Sequence, residues 1–97
     1  MARLDNIQKM ALKEAINGID GQFFLFGSRV DDDKRGGDVD LLVISENIEK
    51  KLDLKIEIMT KYQSICDEKI DVVILPNPDN MNNKEKSFFN IINKVNL

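Results

Sequence analysis

Apolar residues recur at helical spacing near the start of the chain. Leu4, Ile7, Ala11, Ala15 and Ile16 fall on one side of a helix, and Gly18 follows as a stop. The pattern then changes. Gln22–Phe26 reads as a strand whose consecutive apolar residues suit a sheet covered on both faces. Gly27-Ser28 breaks it. Residues 29–37 are polar and end in Gly36-Gly37, which predicts a loop with room for one short helical turn. Asp38–Ser45 predicts a second strand, rich in Leu, Val and Ile. Ser45 or Asn47 can cap the helix that follows, where Ile48, Leu52, Ile56, Met59, Tyr62 and Cys66 step by three or four. Asp67-Glu68-Lys69 marks a turn. Ile70–Leu75 predicts a third strand, stopped by Pro76 and Pro78. Phe88, Ile91, Ile92 and Val95 predict a last, weaker helix. The order helix, strand, strand, helix, strand, helix predicts an α/β (α+β) fold with helices on at least one face of a sheet. Strand order and direction do not follow from this pattern.

Composition narrows the chemistry. The chain has 97 residues and shows no repeat, low-complexity tract or linker, so one domain spanning residues 1–97 is expected. Fourteen Lys+Arg against 17 Asp+Glu leave a net charge of −3. Such a balance argues against general nucleic-acid binding, which needs clustered positive charge. His is absent, which removes His-based catalytic triads and His-ligated metals. Cys66 is the sole cysteine, so neither an intrachain disulfide nor a CxxC motif exists. Carboxylates, hydroxyls, lysines and backbone amides remain, and carboxylates favour hard cations such as Mg²⁺ or Mn²⁺. Apolar runs are far shorter than the ~20 residues of a membrane span. The N-terminus lacks the apolar core of a signal peptide, so a cytoplasmic protein without a membrane partner is expected. A small domain has a thin core, which leaves room for a homo-oligomer or a dedicated partner.

The informative stretch runs Phe24-Leu25-Phe26-Gly27-Ser28-Arg29, then Gly36-Gly37-Asp38-Val39-Asp40-Leu41-Leu42-Val43. Side chains alternate across a strand, so Asp38 and Asp40 share a face. Two carboxylates there repel each other, and a bound Mg²⁺ removes the conflict. Asp71, inside the apolar run Ile70–Leu75, is the third acid. If its strand lies beside the Asp38–Asp40 strand, three carboxylates converge. Such a cluster suits one or two Mg²⁺ ions, and Asp71 can instead accept a proton from an attacking hydroxyl. Gly27 lets a phosphate approach the backbone, and a helical turn from Ser28 would aim free N–H groups at it. Arg29, Lys34 and Arg35 can neutralise triphosphate charge.

At these residues the chain resembles a minimal nucleotidyltransferase of the DNA polymerase-β superfamily. The superfamily pattern is an apolar residue, Gly, Gly or Ser, a gap of nine to thirteen residues, then Asp-apolar-Asp-apolar. Here it reads Phe26-Gly27-Ser28, residues 29–37, then Asp38-Val39-Asp40-Leu41, with Asp71 matching the later acid. The resemblance spans roughly residues 22–76. It implies a small mixed sheet with flanking helices. Gly27, Ser28 and Arg29 would bind the nucleotide, and Asp38, Asp40 and Asp71 would be the catalytic and metal-binding acids. Mg²⁺ or Mn²⁺ is the implied cofactor and ATP the implied substrate. Many relatives carry Gly-Ser-Arg-Ala and a short Gly-containing loop. This chain has Val30 and Asp31-Asp32-Asp33 instead. Family members of this length often pair with a helical HEPN-domain toxin, so the resemblance implies an antitoxin. Some relatives transfer AMP to a toxin tyrosine. The alternative is a non-catalytic antitoxin that occludes its toxin. A small-molecule enzyme, such as an antibiotic nucleotidyltransferase, ranks last because no acceptor pocket is legible.

Each motif alone has a plainer reading. Gly27-Ser28 is an ordinary turn and cap, and Asp38, Asp40 and Asp71 are solvent-facing strand residues. Asp31-Asp32-Asp33 reads as a solvated loop. Cys66 reads as a core filler, Tyr62 as a ring packed on the sheet, and Phe88-Phe89-Ile91-Ile92 as core cover. The joint spacing, apolar frame and third acid reverse these readings for the motif residues.

Overall fold

A computed structural model describes residues 4–27, 39–46 and 50–97. Helix α1 (Asn6–Ile16) opens on a reciprocal cap. The Asp5 carboxylate accepts from the Gln8 backbone N–H at 2.7 Å, and the Gln8 side chain accepts from the Asp5 N–H at 3.0 Å. Gln8 also donates to Glu68 at 2.7 Å, which ties the helix to the turn that precedes the third strand. The helix ends at Asn17, and Gly18 beyond it takes a left-handed φ of 81°, as its expected role as a stop requires.

Strand β1 (Gln22–Phe26), strand β2 (Val39–Ile44), helix α2 (Lys51–Ile65) and strand β3 (Ile70–Leu75) follow in the expected order. The chain then makes a 3-10 turn at Pro78–Asn80 and forms helix α3 (Asn83–Ile91) and strand β4 (Lys94–Asn96). The sheet has the order β3-β2-β1-β4. β2 and β3 run parallel across the α2 connection, whereas β1 is antiparallel to both β2 and β4. The small mixed sheet with flanking helices is therefore present.

Alternation along the strands divides the apolar residues between two faces. Leu25, Val39, Leu41, Val43, Ile70, Val72 and Ile74 face α1 and α2, where Ala11, Leu12, Ala15, Ile58 and Tyr62 close the core. Cys66 joins that core at the α2 C-cap, and burial pushes its thiol above the ordinary range while a hydrogen bond with Tyr62 works against that shift. The other face carries Phe24, Phe26, Leu42, Ile44, Val73 and Leu75 beneath Met81, Phe88, Phe89 and Ile92. Edge-to-face ring pairs, Phe24–Phe89 at 6.0 Å and Phe26–Phe88 at 5.6 Å, hold α3 there.

Four expectations change. Val95 belongs to a strand, because it pairs with Leu25 at the sheet edge, and the last helix ends at Ile91. Ile91 points away from the sheet at 81% exposure and is not core cover. In α2 the buried face runs through Ile58 and Tyr62, with Leu54 and Met59 partly buried. Leu52 and Ile56 are exposed. At about 100° per residue, these two sit roughly a quarter-turn or more from that face. The α2 helix also begins later than either expected cap, at Lys50, which makes no side-chain capping bond. Of those two cap candidates, Ser45 is buried just past β2, and Asn47 lies outside the described residues, as does Ile48 of the expected stripe.

Candidate active site

The strand registers bring two of the three expected acids together. Asp40 in β2 pairs with Asp71 in β3, and in a parallel ladder such partners lie side by side on one face. The same position in β2 pairs with Phe26 in β1, which pairs with Lys94 in β4. A row Asp71, Asp40, Phe26, Lys94 therefore crosses all four strands on the α3 face. Asp40 is half-buried and Asp71 is exposed. Sequence reasoning did not find Phe26 or Lys94 as neighbours of the acids, since only strand pairing sets them there.

Gly27 follows β1 directly and has a left-handed φ of 78°. A Cβ at this position would overlap the Asp40 carboxylate oxygen Oδ2. The glycine thus serves two needs: a backbone turn that L-residues rarely adopt, and a close approach to the acid. The Asp40 carboxylate itself fills the space beside Gly27 that a Cβ would take. Lys94, in the same row, is held by Phe89. Its ammonium donates to the Phe89 carbonyl at 2.6 Å and stands 4.2 Å from the Phe89 ring centre, so it is engaged at the end of α3.

Asp38, Ser28, Arg29, Lys34, Arg35, Val30 and Asp31-Asp32-Asp33 lie outside the described residues. Among the described residues, no group of three acids or thiols stands close enough to hold a metal. The two described acids are hard oxygen donors brought together by register, a donor set that fits Mg²⁺ or Mn²⁺. A cleft of about 680 Å³ lies elsewhere, at the opposite strand ends, lined in part by Asp20, Gln22, Ser45, Glu46 and Asp53. Its lining is mostly polar or acidic, with Lys50 as its one cation, which suits a polyanion poorly.

The described part of the site is thus a mixed sheet that pairs two carboxylates, with a left-handed glycine against one of them. A family model described as "Polymerase beta, Nucleotidyltransferase" matches residues 6–94, and the chain belongs to that family. Comparison with curated proteins gives no match. Among the described residues, no helix is long and apolar enough to cross a membrane.

Proposed function

We propose that the protein is a Mg²⁺-dependent nucleotidyltransferase that moves the AMP group of ATP onto a hydroxyl, and that it acts in the cytoplasm as an antitoxin. The acceptor is a tyrosine on a helical toxin of the HEPN type. The site comprises Asp38, Asp40 and Asp71 with Gly27, Ser28 and Arg29. The observation that carries the reading is the side-by-side register of Asp40 and Asp71 within a chain of this family.

In the reaction, the acceptor oxygen bonds to the α-phosphorus of ATP. The bond from that phosphorus to the bridging oxygen breaks, and pyrophosphate leaves. Asp71, the more exposed of the two described acids, would take the acceptor's proton. Asp40, held against Gly27, would be one of the acids that hold the cation. Ser28 and Arg29 would grip the phosphates that leave. Bound Mg²⁺, held by the acids, would supply charge stabilisation to the transferring phosphoryl group.

The test is transfer from α-labelled ATP in host lysate with Mg²⁺, comparing the natural chain with Asp40→Asn. A labelled protein band that disappears in the variant, with circular dichroism unchanged, is the expected result. Retained transfer by a well-folded variant overturns the reading. Rescue of cells from the toxin by Asp38→Asn/Asp40→Asn would replace catalysis with occlusion.

A further inference from the structure

We propose that the open edge of β3 docks an extended, acidic segment of a partner protein, added to the sheet as a further strand. The proposal does not depend on the transferase reading. β3 stands at one edge of the sheet, and its neighbour on the inner side is β2. Its six residues, Ile70–Leu75, include one charge, Asp71. The opposite edge is β4, only three residues long. A long apolar edge strand is a template for pairing unless something covers it.

A groove of about 570 Å³ runs beside that edge, between it and the flank of α2. Its lining is Val72–Leu75 from the strand and Lys51, Leu52 and Lys55 from the helix. Leu52 is 67% exposed, and it and Ile56 are exposed apolar residues in the first half of α2. Among the described residues no carboxylate lines the groove, although acids outnumber bases in the chain. Among the described residues neither Lys51 nor Lys55 has an ion-pair partner. The groove is thus a local basic, apolar slot on an acidic protein.

Charge selects the occupant. A second copy paired edge to edge would bring another Lys51–Lys55 pair to the joint, with no carboxylate from either groove to offset it. A segment alternating acidic and apolar residues fits both sides. Its backbone pairs with the outer edge of β3. Its carboxylates, all on one face, reach the two lysines, while its apolar residues lie on the other face beside Val73.

The experiment uses the full chain and a fluorescent heptapeptide alternating glutamate and valine. Fluorescence anisotropy should show saturable binding. Lys51→Glu/Lys55→Glu should weaken it by about tenfold or more, and raising salt to about 0.5 M should weaken it as well. A proline at the centre of the peptide should abolish binding. Lys51→Ala/Lys55→Ala, which cannot add repulsion, should fall between the natural chain and the charge reversal. Three results would each overturn the proposal. One is equal binding of a lysine–valine heptapeptide. Another is no binding up to about 1 mM peptide. The third is self-association of the free protein that excludes the peptide, which would give the edge to a second copy.

Discussion

The two faces of the sheet are made by the same strands, yet they are finished differently. On one, α1 and α2 close over eight strand residues, of which seven are buried and Phe23 partly so. On the other, the nine-residue α3 covers Leu42, Ile44 and Leu75, while Phe24, Phe26, Phe88 and Phe89 stay only partly buried. Asp40 and Asp71 stand on this face at the N-terminal ends of β2 and β3, the first half-buried and the second exposed. The comparison teaches that the closed face holds the fold together and the half-covered face leaves room for chemistry. Alternation makes the division sharp: Asp40 and Leu41 are adjacent in sequence and belong to opposite worlds.

That adjacency gives the strongest test. Asp40→Asn should lower transfer by at least about 100-fold, because a positioned charge is lost where charge develops. Its melting temperature should hold, since the change keeps the shape of a half-buried side chain. Leu41→Ala should do the reverse. Deleting a fully buried Leu in a closed core costs about 2–5 kcal/mol. Urea unfolding should show that loss, while protein that remains folded transfers normally. Equal loss of stability in both variants would break the division between faces.

Gly27→Ala sits on the boundary and should give a smaller, mixed effect. The left-handed backbone costs an alanine about 1–2 kcal/mol, and its Cβ must displace the Asp40 carboxylate. Transfer should therefore fall further than the stability loss alone explains. The check is to measure kcat on folded protein beside urea unfolding. A loss of stability with kcat unchanged would show that the Asp40 position is not what the glycine protects.

Much of this was legible from local pattern. Runs such as Leu41–Ile44 and Val72–Leu75 are short, rich in β-branched residues and bounded by turn signals, which favours strands, and Gly18 stops α1 through backbone freedom that no neighbour supplies. The glycine after β1 and the acids at Asp40 and Asp71 also stood out, since each is costly in an apolar strand setting without a purpose. What stayed hidden depends on contacts distant in sequence. β4 has three residues and exists because β1 offers it an edge, so Val95 carried only a weak helical signal. The neighbours of Asp40 follow from strand order, which hydropathy does not encode. Leu52 and Ile56 satisfied a helical period, yet the sheet is too narrow to cover the whole stripe. The caps Asp5–Gln8 and Asn82–Glu85 carry a legible spacing, one polar residue three before another, that apolar periodicity alone does not register.

The smallest effect tests whether the two faces are energetically separate. α3 is too short to be stable alone, since isolated helices below about 12 residues are marginal in water. It is held by its ring pairs with β1 and by its cap. There the Asn82 side chain accepts from the Glu85 N–H at 2.8 Å, and the Glu85 side chain accepts from the Asn82 N–H at 2.9 Å. Asn82→Ala should cost about 1 kcal/mol. If the half-covered face opens on its own, that loss appears as faster hydrogen exchange in α3 amides, while amides of Leu41–Val43 keep their protection. If all of these amides lose protection by the same factor, α3 unfolds only with the whole molecule. The half-covered face would then be a rigid roof that opens only when the whole fold does.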